Sequence, residues 1–140
     1  MQCEVRRAEL KDMDAVLPLS KALATSFTVE GQAFRQSFKQ LLDMPHATLL
    51  IAEQGNELIA YLLGVEHPSF YANGSVAWVE EVYVKEDYRG AGVGGLLMSH
   101  FEQSVKSAGN KLIALATRRA SGFYQSLGYQ ESATYFKKHL

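Results

Sequence analysis

Cysteine is the scarcest reactive residue in this chain, with Cys3 as the single copy. One thiol cannot close an internal disulfide, and this usage fits a reducing cytoplasm. An excess of charge of one sign is missing too. The formal net charge is -1 over 140 residues, so no broad field draws in nucleic acid or a membrane surface. Any anion site has to be built locally. No run approaches the roughly 18 apolar residues of a membrane span, and the opening MQCEVRRAEL has no apolar leader core. His46, His67, His100 and His139 show no metal-ligand spacing, so no metal is expected. No helix-turn-helix or aromatic-basic nucleic-acid signature stands out, and no repeat or low-complexity stretch is visible. What remains is ordinary: 47% hydrophobic and 21% charged residues. That suits one globular domain over residues 1–140, large enough to bury a core.

Periodicity divides the chain. Glu4 to Ala8 reads as a first strand. Asp12 or Asp14 is placed to cap a helix to about Ala24, with Val16, Leu19 and Leu23 on one face and a kink expected at Pro18. Phe34, Phe38, Leu41 and Leu42 form the apolar stripe of a helix from Gly31 to Asp43. ATLLIAE and ELIAYLLGV, separated by QGN, predict an antiparallel hairpin. HPSFYANG reads as a loop and SVAWVEEVYV as the strongest strand. Val93, Leu97, Phe101 and Val105 recur every fourth residue as a helix ended by Gly109. KLIALAT is then a buried parallel strand. Ser121 to Ser126 predicts a short helix, and Thr134 to Lys138 a last strand. The expected fold is α/β (α+β): a mixed sheet with helices on both faces and a central βαβ unit.

The stretch YRGAGVGGLLM holds four glycines in six residues directly ahead of a helix. Helix N-termini present unpaired N–H groups at the positive end of the dipole. Glycines there let a phosphate reach the backbone without meeting a Cβ, and Arg89 adds a charge-assisted donor. A tight turn that binds nothing is the plain alternative. Gly90, Gly92 and Gly95 match G-x-G-x-x-G only formally. KEDYR intervenes after the strand, and no acid stands about 20 residues on. No Walker lysine is present either.

The spacing Arg89-x-x-Gly92-x-Gly94 after a strand ending at Val84 resembles the central motif of the GCN5-related N-acetyltransferases. EVRRAELKDMDAV, LIAEQGNELIAYLLG and ASGFYQSLGY resemble that family's opening strand and helix, its second and third strands, and its C-terminal motif, in order over nearly the whole chain. The resemblance implies a family fold whose mostly antiparallel sheet is twisted, and an acetyl-CoA-dependent N-acetyltransferase. Amine would attack the thioester directly. Arg89, Gly90, Ala91, Gly92, Val93, Gly94 and Gly95 would hold the pyrophosphate of coenzyme A, and Val82, Tyr83 and Val84 the pantetheine arm. The family often has an asparagine seven residues before its tyrosine; here that position is Thr117, which puts one cofactor contact in doubt. Arg118 or Arg119 could reach cofactor phosphate; the plainer reading, two solvated charges, is favoured.

Acetyl transfer to an amine needs a base and an acid. An alkylamine of pKa ~10.4 is neutral to about one part in a thousand near neutral pH, a handicap of about 4 kcal/mol. Glu80 and Glu81 are the candidate carboxylates, and strand alternation places them on opposite faces. The resemblance favours Glu80. Spermidine/spermine acetyltransferases carry adjacent acids at matching positions, so Glu81 stays a candidate. Tyr124 matches the family's tyrosine that protonates the leaving thiolate and touches the cofactor, against the plain reading of a core tyrosine. By family analogy Phe27, Glu30, Phe70 and Tyr71 border the acceptor pocket with Glu80, and Glu66 is a further acid that could attract a cationic amine. Tyr61 and Trp78 read as core. Partners implied are an amine-bearing small molecule or a peptide. Many family members form homodimers, a state the chain does not test. A non-catalytic coenzyme-A-binding module stays open as a rival, as does a protein lysine or N-terminus against a small amine.

Overall fold

The computed structural model describes residues 2–140. Its order is β1 (Glu4–Arg7), α1 (Met13–Leu23), α2 (Gly31–Asp43), β2 (Ala47–Gln54), β3 (Glu57–Ser69), β4 (Gly74–Val84), α3 (Val93–Ser107), β5 (Leu112–Leu115) and α4 (Ser121–Ser126). The strands lie in chain order, β1 to β5. The first three junctions are antiparallel, and β4 pairs with β5 in parallel. This is the expected mixed sheet, with β4–α3–β5 as its βαβ unit.

Alternation along the strands feeds two cores. Ala52, Ala60, Leu62, Ala77 and Val79 pack on Leu97, Met98, Phe101 and Val105 of α3. Leu49, Ile51 and Tyr61 face the other way, against Val16 and Leu19 of α1 and Phe38 of α2. Phe101 is fully buried, which contributes roughly 1.5–3 kcal/mol. Its ring sits so close to Gly64 that any Cβ there would overlap it. Gly55, at φ 63°, makes the turn between β2 and β3 that no β-branched residue would tolerate.

The pairing of β3 with β4 is irregular at one point. Leu63 pairs with Glu81, but the next β3 residue, Gly64, pairs with Val79. Glu80 is therefore the extra residue of a bulge in β4, opposite the glycine that makes room for Phe101.

Four expectations need correction. β3 continues to Ser69, through the first three residues of the predicted loop, because its residues up to Ser69 pair in register with β4 back to Gly74. β5 is parallel as expected but not buried: it lies at the sheet edge, with Leu112 43% exposed. Neither Asp12 nor Asp14 caps α1 through its side chain. Asp12 instead receives two 2.9 Å bonds from Arg6, which holds its carboxyl below the usual range. The predicted strand 134–138 joins no ladder. Side chains hold that segment instead: Lys137 Nζ donates to Ser26 Oγ at 2.6 Å, and His139 stacks on Phe27 at 5.0 Å.

Candidate active site

β4 and β5 part company after the pair Val79–Leu115. Beyond it, Val82, Tyr83 and Val84 pair with β3 on one side and with no strand on the other. A cavity of about 1420 Å³ fills the opening. Its walls are Glu80 to Val84, Leu115 to Ala120, the glycine turn, Phe123 and Tyr124, and it extends to residues 22–30 between α1 and α2. The unpaired edge of β4 leaves backbone N–H and C=O groups available to an extended ligand arm.

Glu80 and Glu81 both line this cavity. The opposite faces expected from alternation are overturned by the bulge, which adds one residue and re-aims Glu80. Their environments differ. Glu81 accepts a 2.6 Å bond from the hydroxyl of Tyr61. Glu80 has no side-chain partner among the described residues, and its carboxyl is pushed above the ordinary value, first by burial and then by the charge of Glu81. Tyr61 was expected as core. It is buried, yet its hydroxyl lies at the cavity wall, and the same burial with the Glu81 charge keeps that hydroxyl protonated.

The glycine turn is held from below. KEDYR forms a short turn, with Lys85 Nζ at 2.8 Å and Tyr88 Oη at 2.6 Å from the Glu57 carboxylate. Arg89 Nε donates to the Val84 carbonyl at 2.9 Å, and its guanidinium lies 5.2 Å over the Tyr83 ring. Gly90 (φ 79°) and Gly92 (φ 89°) are left-handed, and the space where a Cβ would project is open at both. Gly92 is the N-cap of α3, so the first amides of that helix point into this open space. Gly94 is needed for another reason: a Cβ there would come within 3.2 Å of Phe123. Ala91 is exposed and lies outside the cavity wall.

Tyr124 stands on α4 across the cavity, with Phe123 and Tyr129 edge-on to its ring at 4.9 and 5.8 Å. Gly128 (φ 95°) turns the chain back, and Tyr129 then donates to Glu102 of α3 at 2.7 Å. The Phe-Tyr and Gly-aromatic pairs thus form one clamp that fixes the Tyr124 ring. Burial raises the Tyr124 hydroxyl above its usual pKa, so it carries its proton at neutral pH. Thr117 Oγ1 accepts the amide of Ala120 at 3.1 Å, leaving its O–H free to donate toward the cavity it lines.

The acceptor-side expectations divide. Phe27 and Glu30 line the cavity. Phe70 and Tyr71 do not: they are fully and largely exposed at the tip of the β3–β4 hairpin. Long strand pairing carries that tip past the far end of the seam, so the family analogy fails for them. Glu66 is likewise removed, since Asn110 bonds to it beside the end of α3. Cys3 lies before the edge strand β1, half-buried and outside the cavity.

A sequence model of the acetyltransferase (GNAT) family matches residues 17–129. An aminoalkylphosphonate N-acetyltransferase of Salmonella typhimurium is 30% identical over 143 aligned residues, covering 99% of this chain and 92% of that protein. An aminoglycoside N(6')-acetyltransferase type 1 of Acinetobacter genomosp. 13 is 29% identical, covering 78% of this chain and 82% of that protein. Among solved structures, glucosamine-6-phosphate N-acetyltransferase of Arabidopsis thaliana superposes with a TM-score of 0.88 at 19% identity, over 99% of both chains.

Proposed function

The chain belongs to the acetyltransferase (GNAT) family, and from that premise we propose that residues 1–140 act as one domain that acetylates a small-molecule primary amine. The observation that carries this reading is the re-aimed Glu80, a carboxylate of raised pKa in the same cavity as a protonated, clamped Tyr124. Acetyl-CoA is the donor of the family. The residues here suit it: open left-handed glycines at the N-terminus of α3, and an unpaired β4 edge leading away from them.

When bound, acetyl-CoA supplies an activated acyl carbon and a thiolate leaving group. The amides of Gly92 to Gly95 and the guanidinium of Arg89 hold phosphate charge. Val82 to Val84 align the arm by backbone bonds. Glu80 takes the proton that an alkylammonium must lose, directly or through one water, and its raised pKa brings it nearer to the working range of a base. Tyr124 Oη would give its proton to the departing sulfur and recover one from the nitrogen as the amide forms. Tyr61 keeps Glu81 hydrogen-bonded, so Glu81 serves as the charge that raises Glu80 rather than as the base. Phe27 and Glu30 border the acceptor end. We place the chain in a reducing cytoplasm, which suits the lone Cys3; among the described residues no helix is long and apolar enough to cross a membrane.

A small acceptor is favoured over a protein lysine or N-terminus because relatives over most of the chain are named for small amines. The test is thiol release from acetyl-CoA across polyamines, amino sugars, aminoalkylphosphonates and lysine peptides. Release above hydrolysis with a small amine is expected. Release with peptides alone would refute the acceptor class, and cofactor binding without release to any amine would support the non-catalytic rival.

A further inference from the structure

A second recess of about 460 Å³ adjoins the acceptor end of the main cavity. The two share Val79, Glu80, Ala116, Thr117 and Arg118 in their walls, so they meet at the seam where β4 leaves β5. The recess adds Trp78 of β4 and, from the C-terminal segment, Tyr135 and Lys137. Glu80 is the one carboxylate in its lining, against two cations, Arg118 and Lys137.

Those cations are not spent on acids. Ion pairs elsewhere engage Arg6, Lys11 and Lys85, whereas Arg118 and Lys137 have no carboxylate within 4.0 Å among the described residues. Lys137 bonds to the neutral hydroxyl of Ser26, which itself lines the main cavity. An ammonium has three donors, so two remain, and the Ser26 O–H remains as well. A planar guanidinium beside them matches a multi-oxygen anion.

We infer that this recess is the anion subsite of the acceptor: Arg118, Lys137 and Ser26 bind the phosphonate or carboxylate of a short aminoalkyl acid whose amine lies at Glu80. The inference rests on the amine-acetylation reading and narrows its substrate class. It also gives the C-terminal segment a task. Its Lys137 lines the recess together with Arg118, and the bond to Ser26 and the His139–Phe27 stack hold that segment in place without a strand. Glu80 at the shared wall repels an anion that brings no amine, so the site selects the zwitterion.

The test separates the subsite from the chemistry. Protein loaded with coenzyme A, which cannot transfer acetyl, is titrated calorimetrically with aminoethylphosphonate, β-alanine and propylamine. At least one of the two acids is expected to bind about tenfold or more tighter than propylamine. That preference should collapse in Arg118→Gln and in Lys137→Met and survive in Lys137→Arg, with melting temperatures confirming folded protein. Equal binding of acids and propylamine by the unaltered protein, or a preference unchanged in both variants, would overturn the subsite. Thiol release from acetyl-CoA with the same three amines then reads the underlying function. Selective binding without release leaves the subsite and removes the transferase reading; release of equal efficiency for all three does the reverse.

Discussion

The two ends of the cavity are built by different means. At the glycine turn the working parts are main chain: two left-handed glycines, the first amides of α3 and the bare edge of β4. At the acceptor end they are side chains drawn from distant segments, with Ser26 and Lys137 bonded across a separation of 111 residues. The first end therefore tolerates almost no change at a few positions, and the second can alter its ligand by single substitutions. A family that keeps one donor and varies its acceptors requires that division.

Substitutions sharpen this contrast, and the largest effect belongs to the shared centre. Tyr124→Phe is expected to lower kcat on the order of 100-fold or more, by removing the proton donor. Acetyl-CoA affinity measured by calorimetry should stay nearly intact; weakened binding with normal turnover per complex would refute the acid role. Gly92→Val comes next. The methyls of a β-branched residue fill the open phosphate space, so the Kd for acetyl-CoA should rise about 30-fold, while the left-handed strain of about 1–2 kcal/mol lowers stability instead. An unchanged Kd would remove the phosphate assignment. Tyr61→Phe strips Glu81 of its donor and should lower stability in urea by about 2 kcal/mol, with a smaller loss of rate. Equal stability would mean that water replaces the hydroxyl without cost. Phe27→Ala is the mildest: loss of the stack on His139 should raise the acceptor KM about threefold and leave the acetyl-CoA KM alone. A matching rise in both would break the division between the two ends.

Legibility in the sequence divides along the same line. Main-chain devices leave marks in composition, so the glycine turn ahead of α3 and the strand before it were readable from spacing. Tyr124 was readable because Phe123, Gly128 and Tyr129 stand at fixed offsets within one short clamp. The bulge at Glu80 was not readable. It depends on a register set by Gly64 against the ring of Phe101, which lies 37 positions along the chain from it. The task of Tyr61 depends on the same register, since only pairing reveals that its hydroxyl meets Glu81. Phe70 and Tyr71 looked apt by type, but strand length decides where a hairpin tip ends up. Arg118 reads as a solvated charge and is exposed, as expected, while Lys137 carried no signal, because nothing in their neighbours in sequence announces that both line one recess.

The most direct measurement is the pH dependence of kcat at saturating acceptor, for the unaltered protein and Glu80→Gln. On the proposed mechanism Glu80 works as the carboxylate, so activity is expected to be lost as pH falls through its pKa. Because burial and Glu81 raise that pKa above 4.5, the acidic limb should begin its fall at a pH above that of an ordinary carboxylate. Glu80→Gln should lower kcat on the order of 100-fold and abolish the limb. A variant that keeps both the rate and the limb would contradict the assignment of Glu80 as the base.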